Sequence, residues 1–189
     1  MNKNRCGRCL KDQLYRNYHD NERWNPVHDD CKHFEYLLLE TFQAWLSWYT
    51  ILSKRENFRK VFDDFDYKKI AGYTDTKLEE LLINPGIIRH RGKIEAAIRN
   101  AQIFLEIQQQ YWSRDNFIRA YTDGKTIDNK IIDYKTAPAN TDLATTISKD
   151  LKKLGMKFIW PTVMYAHLQA TGQVNDHEIS CWRYNTLSQ

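Results

Sequence analysis

Between Phe34 and Leu52, apolar side chains recur at 34, 37, 38, 39, 42, 45, 46, 48, 49, 51 and 52. This is an i, i+3, i+4 rhythm that broadens until it touches nearly every face. It predicts a helix at the centre of the core, and Phe58, Val61, Phe62 and Phe65 carry the rhythm onward. The signals Thr74-Asp75-Thr76 open a short helix bearing Leu78, Leu81 and Leu82, which Pro85-Gly86 ends. From Gly92 to Gln110 a long helix is expected, with Ile94, Ala97, Ile98, Ala101, Phe104, Leu105 and Ile107 on one side. Further helices are expected over Asp115 to Tyr121, Thr141 to Leu154 and Pro161 to Thr171, and the polar stretch Asp123 to Asn140 reads as a loop. Strict alternation is nowhere sustained, and no internal repeat exists. The expected class is all-α, a compact helical bundle.

A chain of 189 residues makes one domain over 1–189, or two closely joined helical lobes. The mean hydropathy is −0.70 although 13% of residues are aromatic, so the core must be built from large rings. Disorder and collagen-like structure are excluded on that composition. No run approaches the roughly 18 apolar residues of a membrane span, and Met1-Asn2-Lys3-Asn4-Arg5 has no apolar segment behind it. The expectation is a soluble cytoplasmic protein that does not contact membranes. Net charge is +4, which favours a polyanionic partner only where the cations are segregated.

In the cytoplasm, Cys6, Cys9, Cys31 and Cys181 stay reduced, which turns the reading from disulfides toward metal. Cys6 and His19 near one end, with His177 and Cys181 near the other, make a set of tetrahedral zinc ligands. Spacing alone leaves alternatives open: a redox pair in Cys6 and Cys9, a site that uses Cys9, or inert buried side chains.

Several blocks in order give the chain a more specific likeness. They are Arg5-Cys6-Gly7, Tyr15, Tyr18-His19-Asp20-Asn21-Glu22, Leu39-Glu40, Gln43-Ala44, Leu46-Ser47-Trp48, Lys54-Arg55-Glu56, Gly86-Ile87-Ile88-Arg89-His90-Arg91-Gly92-Lys93-Ile94, Ser148-Lys149, Leu151-Lys152-Lys153, Lys157-Phe158 and Val174-Asn175-Asp176-His177. Together they resemble the bacterial 3-methyladenine DNA glycosylase I family over roughly residues 5 to 181. The resemblance implies a helix-hairpin-helix fold and a structural zinc held by Cys6, His19, His177 and Cys181. It also implies a monofunctional hydrolase that removes alkylated purines from double-stranded DNA, and a monomer is the expected state. Glu40 is the residue it implies for hydrogen-bonding the excised base, with Tyr15, Tyr18 and Trp48 around it.

The chemistry of these residues agrees with that role. Glu40 follows Leu37-Leu38-Leu39 and lies near Phe42 and Trp45, so its carboxylate is expected in a poorly hydrated place, where it needs a partner or a task. A purine alkylated on a ring nitrogen is electron-poor, and it stacks well on electron-rich rings. It must be flipped out of the duplex to be reached. The turn Gly86 to Lys93 offers backbone amides and a helix N-terminus to a phosphate, with Arg89, Arg91, Gly92 and Lys93 as contacts. Lys149, Lys152, Lys153 and Lys157 read as a solvated face unless they lie beside that turn. A Schiff-base role for Lys93 is disfavoured, because the resembled family is monofunctional.

Departures from the family pattern cluster around the expected pocket. Arg8 and Arg23 stand where the family has tryptophan, and Trp45 and Trp160 where it has glycine. If Trp45 and Trp160 point inward they narrow the pocket, and Trp24 has the option of refilling the space beside Arg23. Arginines in the pocket would disfavour a cationic lesion, giving weak excision of 3-methyladenine and a preference for a neutral base, unless they turn outward to phosphate. The alternatives are a non-catalytic or altered-specificity lesion-binding protein on the same scaffold, and an unrelated zinc-stapled helical protein.

Overall fold

The computed structural model describes residues 3–10 and 12–186. Among them run nine α-helices: α1 (Gln13–Asn21), α2 (Asp30–Gln43), α3 (Trp48–Val61), α4 (Tyr67–Ile70), α5 (Asp75–Ile83), α6 (Arg91–Tyr111), α7 (Arg114–Arg119), α8 (Asp142–Lys153) and α9 (Pro161–Ala170). No helix among the described residues is long and apolar enough to cross a membrane. The helical class expected from the apolar rhythm is the class observed. Met1 and Asn2, part of the N-terminal reading, lie outside the described residues.

One expectation needs correction. The apolar run 34–52 is not one helix: α2 ends at Gln43 and α3 starts at Trp48. Between them Trp45 takes the left-handed backbone, φ 70°, and Ser47 caps α3 by accepting from the Thr50 amide. Periodicity carries no sign of the break because apolar residues occur on both sides of it. The break sets Glu40, near the end of α2, close to Trp48, at the start of α3.

Helix α2 is buried along most of its length, from His33 to Phe42. Its rings pack edge to face, Phe34 on Phe104 and Phe42 on Phe58, with centroids 5.4 and 4.8 Å apart. A buried ion network crosses beneath. Arg55 of α3 donates to both carboxylate oxygens of Glu22 at 2.9 and 2.7 Å and to Glu35 of α2 at 2.7 Å. Planar, two-pronged pairing of this kind fixes orientation as well as adding energy, so it locks the exit of α1 against α2 and α3.

The stretch 123–140 is mostly irregular, as expected, but it contains β1 (Ile127–Asp128), which pairs in parallel with β2 (Val174–Asn175). An isolated bridge joins Ile131 to Glu178. This short ladder draws the loop onto the segment that carries His177 and Cys181. Gly172 ends α9 at φ 71°, and a Cβ there would lie 2.5 Å from the backbone of Asn25 and Pro26. Gly172→Ala is expected to cost about 2–3 kcal/mol through that clash and the left-handed strain, which a shifted urea midpoint at unchanged slope would register.

Candidate active site

Glu40 is 1% exposed and opens onto a cavity of about 510 Å³. Its walls come from α1 (Tyr15), α2 (Gln43), α3 (Trp48), α9 (Thr162, Tyr165, Ala166, Gln169) and the irregular stretch (Tyr134, Lys135, Ala137, Pro138, Ala139), with Arg8 and Arg23 completing them. Among the described residues that line it, Glu40 is the single acid. Its Oε2 is sealed from solvent with no hydrogen-bond partner. Burial pushes the Glu40 carboxyl up to about 8, with Arg23 pulling the other way. At neutral pH the group is therefore largely protonated, able to donate as well as accept.

The aromatic residues are arranged in depth. Trp48 and Tyr15 line the cavity, whereas Tyr18, 2% exposed, stands behind them with its ring 5.3 Å from Trp48 and 6.4 Å from Tyr15. Its hydroxyl is buried without a partner. Unpaired buried polar atoms are costly, and three of them, on Glu40, Tyr18 and the Trp48 indole nitrogen, belong to this one cluster. Such a set is suited to hydrogen-bonding a polar guest that brings its own donors and acceptors.

The two arginines differ in depth: Arg23 turns inward, while Arg8 stays exposed at the mouth. Arg23 is 5% exposed, donates to Gln169 Oε1 at 2.6 Å, and leaves its Nε unpartnered. Gln169 in turn donates to Asp176, which also accepts from Tyr165 at 2.6 Å and Asn129 at 2.8 Å. Arg8 reaches the cavity with its guanidinium 5.9 Å from the Tyr134 ring. Trp24 does not refill the pocket. With φ 65° its side chain swings to the opposite side, its ring 4.2 Å from that of His177. Trp160 is half exposed beneath Lys152, away from the Glu40 cavity, whereas Trp45, 94% exposed on the chain between α2 and α3, lines a smaller adjoining cavity of about 170 Å³ that shares Glu40, Gln43, Thr162 and Ala166 with the first.

A second cluster lies on the other side of Trp24. Cys6, His19, His177 and Cys181 are all buried, and their ligand atoms lie within 4.8 Å of one another. Cys6 Sγ is 3.4 Å from His177 Nδ1, and Cys181 Sγ is 3.6 Å from His19 Nε2. Tetrahedral bonds of ~2.0–2.3 Å put neighbouring ligands about 3.5 Å apart, so the donor set fits a zinc-sized ion. Further contacts fix these side chains in place. His19 Nδ1 meets Asp20 at 2.9 Å, Arg5 grips Asp20 through two nitrogens, and the Glu178 amide points at Cys6 Sγ from 3.3 Å. Cys9 is buried beside this set, its thiol donating to the Cys6 carbonyl and facing the His19 ring, and Cys31 is exposed.

The basic turn is only partly as the sequence suggested. Arg89 and Arg91 are exposed, and Arg91 pairs with Glu79 at 2.6 Å. His90 caps α6 by accepting from the Lys93 amide, so the first-turn amides of Arg91 and Gly92 have no acceptor within the helix. The Gly86 amide is already donated to Asn84 Oδ1. Lys93 needs correction as a phosphate contact: it is 4% exposed, and its ammonium donates to the carbonyls of Phe42 and Ala44 at 2.8 and 2.6 Å. It holds the break between α2 and α3 in place. Lys152 and Lys157 line a groove together with Gly92, which puts part of the second basic set beside the turn.

Sequence reasoning missed the lining residues of the loop and of α9. Tyr134 sits where it does because Gly7 has no side chain; a Cβ there would lie 2.5 Å from the Tyr134 ring. Glu178 fixes both partners, accepting from the amides of Gly7 and Tyr134 at 2.8 and 3.0 Å. The one signal for this contact is Gly7 itself, a glycine beside Cys6 whose place in the single 3-10 turn Gly7–Cys9 needs no left-handed φ.

A family model, methyladenine glycosylase, matches residues 8–184. DNA-3-methyladenine glycosylase 1 of Escherichia coli (strain K12) is 41% identical over 180 residues, covering 95% of this chain and 96% of its own. The Haemophilus influenzae DNA-3-methyladenine glycosylase is 40% identical over 177 residues, covering 94% and 96%. Among solved structures, 3-methyladenine DNA glycosylase I from Staphylococcus aureus, described for its recognition of 3-methyladenine, superposes with a TM-score of 0.92 at 37% identity, covering 96% of this chain and 97% of that one. With the match running nearly end to end in sequence and in fold, the chain belongs to the methyladenine glycosylase family.

Proposed function

We propose that the protein is a monofunctional DNA N-glycosylase that flips an alkylated purine, such as 3-methyladenine, out of double-stranded DNA and hydrolyses its N-glycosidic bond. The observation that carries this reading is the buried, unpartnered carboxyl of Glu40 in a pocket walled by Trp48 and Tyr15. Its setting in a family whose relatives bear that activity in their names supports it. The base stacks on the indole and the phenol ring, and the Glu40 carboxyl hydrogen-bonds its edge. Departure of the base leaves an oxocarbenium-like sugar, which water captures. A ring-alkylated purine is already a good leaving group, so selective binding supplies much of the rate. Release of free 3-methyladenine from methylated DNA, followed by chromatography, tests this; lesion binding without release would mark the non-catalytic alternative instead.

Zinc is the proposed occupant of Cys6, His19, His177 and Cys181. With four protein ligands it supplies no open position for water, and its part is to tie the two ends of the chain together. The turn between α5 and α6 is proposed as the hairpin of a helix-hairpin-helix, taking a phosphate at the Arg91 and Gly92 amides with Arg89, Lys152 and Lys157 alongside. A monomer in the cytoplasm, acting on duplex DNA, completes the reading.

Two substitutions separate the basic residues by role. Arg89→Ala is expected to weaken DNA binding about equally on all sequences and lower the slope of log K against log salt by about 1. Lys93→Met is expected to leave that slope unchanged while costing about 1–3 kcal/mol of stability, because two buried carbonyls lose their donor. Fluorescence anisotropy across a salt series and urea denaturation read the two effects.

A further inference from the structure

We infer that Arg8 and Arg23 set the Glu40 pocket for an uncharged damaged purine that presents carbonyl or ring-nitrogen acceptors, and against cationic ring-alkylated bases. This rests on the glycosylase reading and shifts its preferred substrate from the cationic 3-methyladenine named there to an uncharged purine.

The lining carries Arg8, Arg23 and Lys135 against the single carboxyl of Glu40; Asp176 stands one hydrogen bond further back, behind Gln169. The nearest cation is not mobile. Arg23 is almost wholly enclosed, with one nitrogen fixed on Gln169 and its guanidinium stacked 4.5 Å from the Trp24 ring centroid. Its Nε is buried without an acceptor. A guest with a carbonyl oxygen or a bare ring nitrogen is matched to a cation fixed in the cavity wall, as arginine is matched to the oxygen and nitrogen acceptors of purines elsewhere. A guest carrying a positive charge lacks that match and adds repulsion in a poorly hydrated space.

The bond-breaking step points the same way. When a cationic purine leaves, the electron pair of the C1′–N bond cancels its ring charge, and no acid is needed. When an uncharged purine leaves, the same pair makes the base anionic unless a proton arrives. Here the Glu40 carboxyl supplies that proton to a ring nitrogen of the base, while Arg8 and Arg23 stabilise the charge as it develops. Water adds its oxygen to C1′ and gives up a proton that restores the carboxyl, so one water is consumed for each free base and abasic site formed. The burial that keeps Glu40 protonated near neutrality suits this task.

The test compares two duplexes, one methylated to carry 3-methyladenine and one carrying hypoxanthine, an uncharged purine with a carbonyl acceptor. Wild type, Arg8→Trp and Arg23→Trp are assayed on both, with melting temperature as a check on folding. The wild type is expected to release hypoxanthine. In each variant the ratio of kcat/KM for hypoxanthine to that for 3-methyladenine is expected to fall by about tenfold or more, the factor worth ~1.4 kcal/mol. A fall in either folded variant supports the inference. If Arg23→Trp does not fold, Arg8→Trp, at the exposed mouth of the cavity, decides alone. Release of 3-methyladenine with no hypoxanthine, or a ratio unchanged in every folded variant, overturns it. Release of no base from either duplex overturns instead the glycosylase reading beneath it.

Discussion

Cys181→Ala is expected to lose stoichiometric zinc and to melt about 10 °C below the wild type. Three ligands remain, but the missing thiolate opens the site to water and removes the tie between residues 6 and 19 at one end and 177 and 181 at the other. A staple across so many residues behaves like a disulfide closing a long loop, worth ~2–5 kcal/mol. In a chain of this length each kcal/mol moves the melting temperature by roughly 2–4 °C. The loss should spread to the active site, because the same segment positions it. Glu178, next to His177, holds the Gly7 and Tyr134 amides, and Asp176 anchors the chain of hydrogen bonds through Gln169 to Arg23. Cys9→Ala provides the contrast, with zinc content expected to be unchanged, since Cys9 lies outside the set of four whose ligand atoms converge. Elemental analysis of both variants with thermal melting checks the pair; full zinc and an unchanged melt in Cys181→Ala would remove the metal from the proposal.

Much of this is legible in residue order because periodicity and ligand chemistry are local or nearly so. The helical class follows from apolar spacing, and the cluster of Cys6, His19, His177 and Cys181 follows from a family likeness whose residues the fold brings together in space. What is not legible depends on backbone turns that periodicity does not encode. Trp45 and Trp24 both take left-handed φ, and those two residues decide which side chains face the pocket. Trp24 turning to His177 leaves Arg23 on the cavity side, so a substitution that reads as a neighbour exchange becomes a change of pocket charge. Lys93 misleads for a related reason. In sequence it belongs to a basic turn, yet a lysine on the inner face of α6 finds the two carbonyls left open where α2 ends. Tyr134 is hidden differently: a residue in irregular chain has no period, and only its packing on Gly7 gives it a place.

Glu40→Gln is expected to lower base release by about 10²–10³-fold, within the range for loss of a positioned acid–base group, and at the same time to stabilise the fold. The two effects have one cause. Burial holds the Glu40 carboxyl protonated up to about pH 8, well above its ordinary value of 4.5, even with Arg23 close by. Below the ordinary carboxylate range both folded and unfolded chains carry the proton, and the residue has no pH-dependent cost. As pH rises, the unfolded chain releases the proton first, so folding loses free energy steadily until the folded pKa is passed. The loss amounts to on the order of 3–5 kcal/mol at the plateau, since each tenfold change in proton affinity is worth about 1.4 kcal/mol. Glutamine keeps the shape and has no proton to release, while Arg8, Arg23, Lys135, Tyr15 and Tyr18 stay the same in both proteins and cancel in the difference. The variant should therefore match the wild type near pH 4.5, exceed it increasingly toward pH 8, and keep a constant lead beyond. Urea midpoints at pH 5 and pH 8.5, with single-turnover base release on the same samples, measure both sides. A stability gap that does not widen with pH would mean Glu40 ionises freely in the folded protein, and undiminished release would take it out of the reaction.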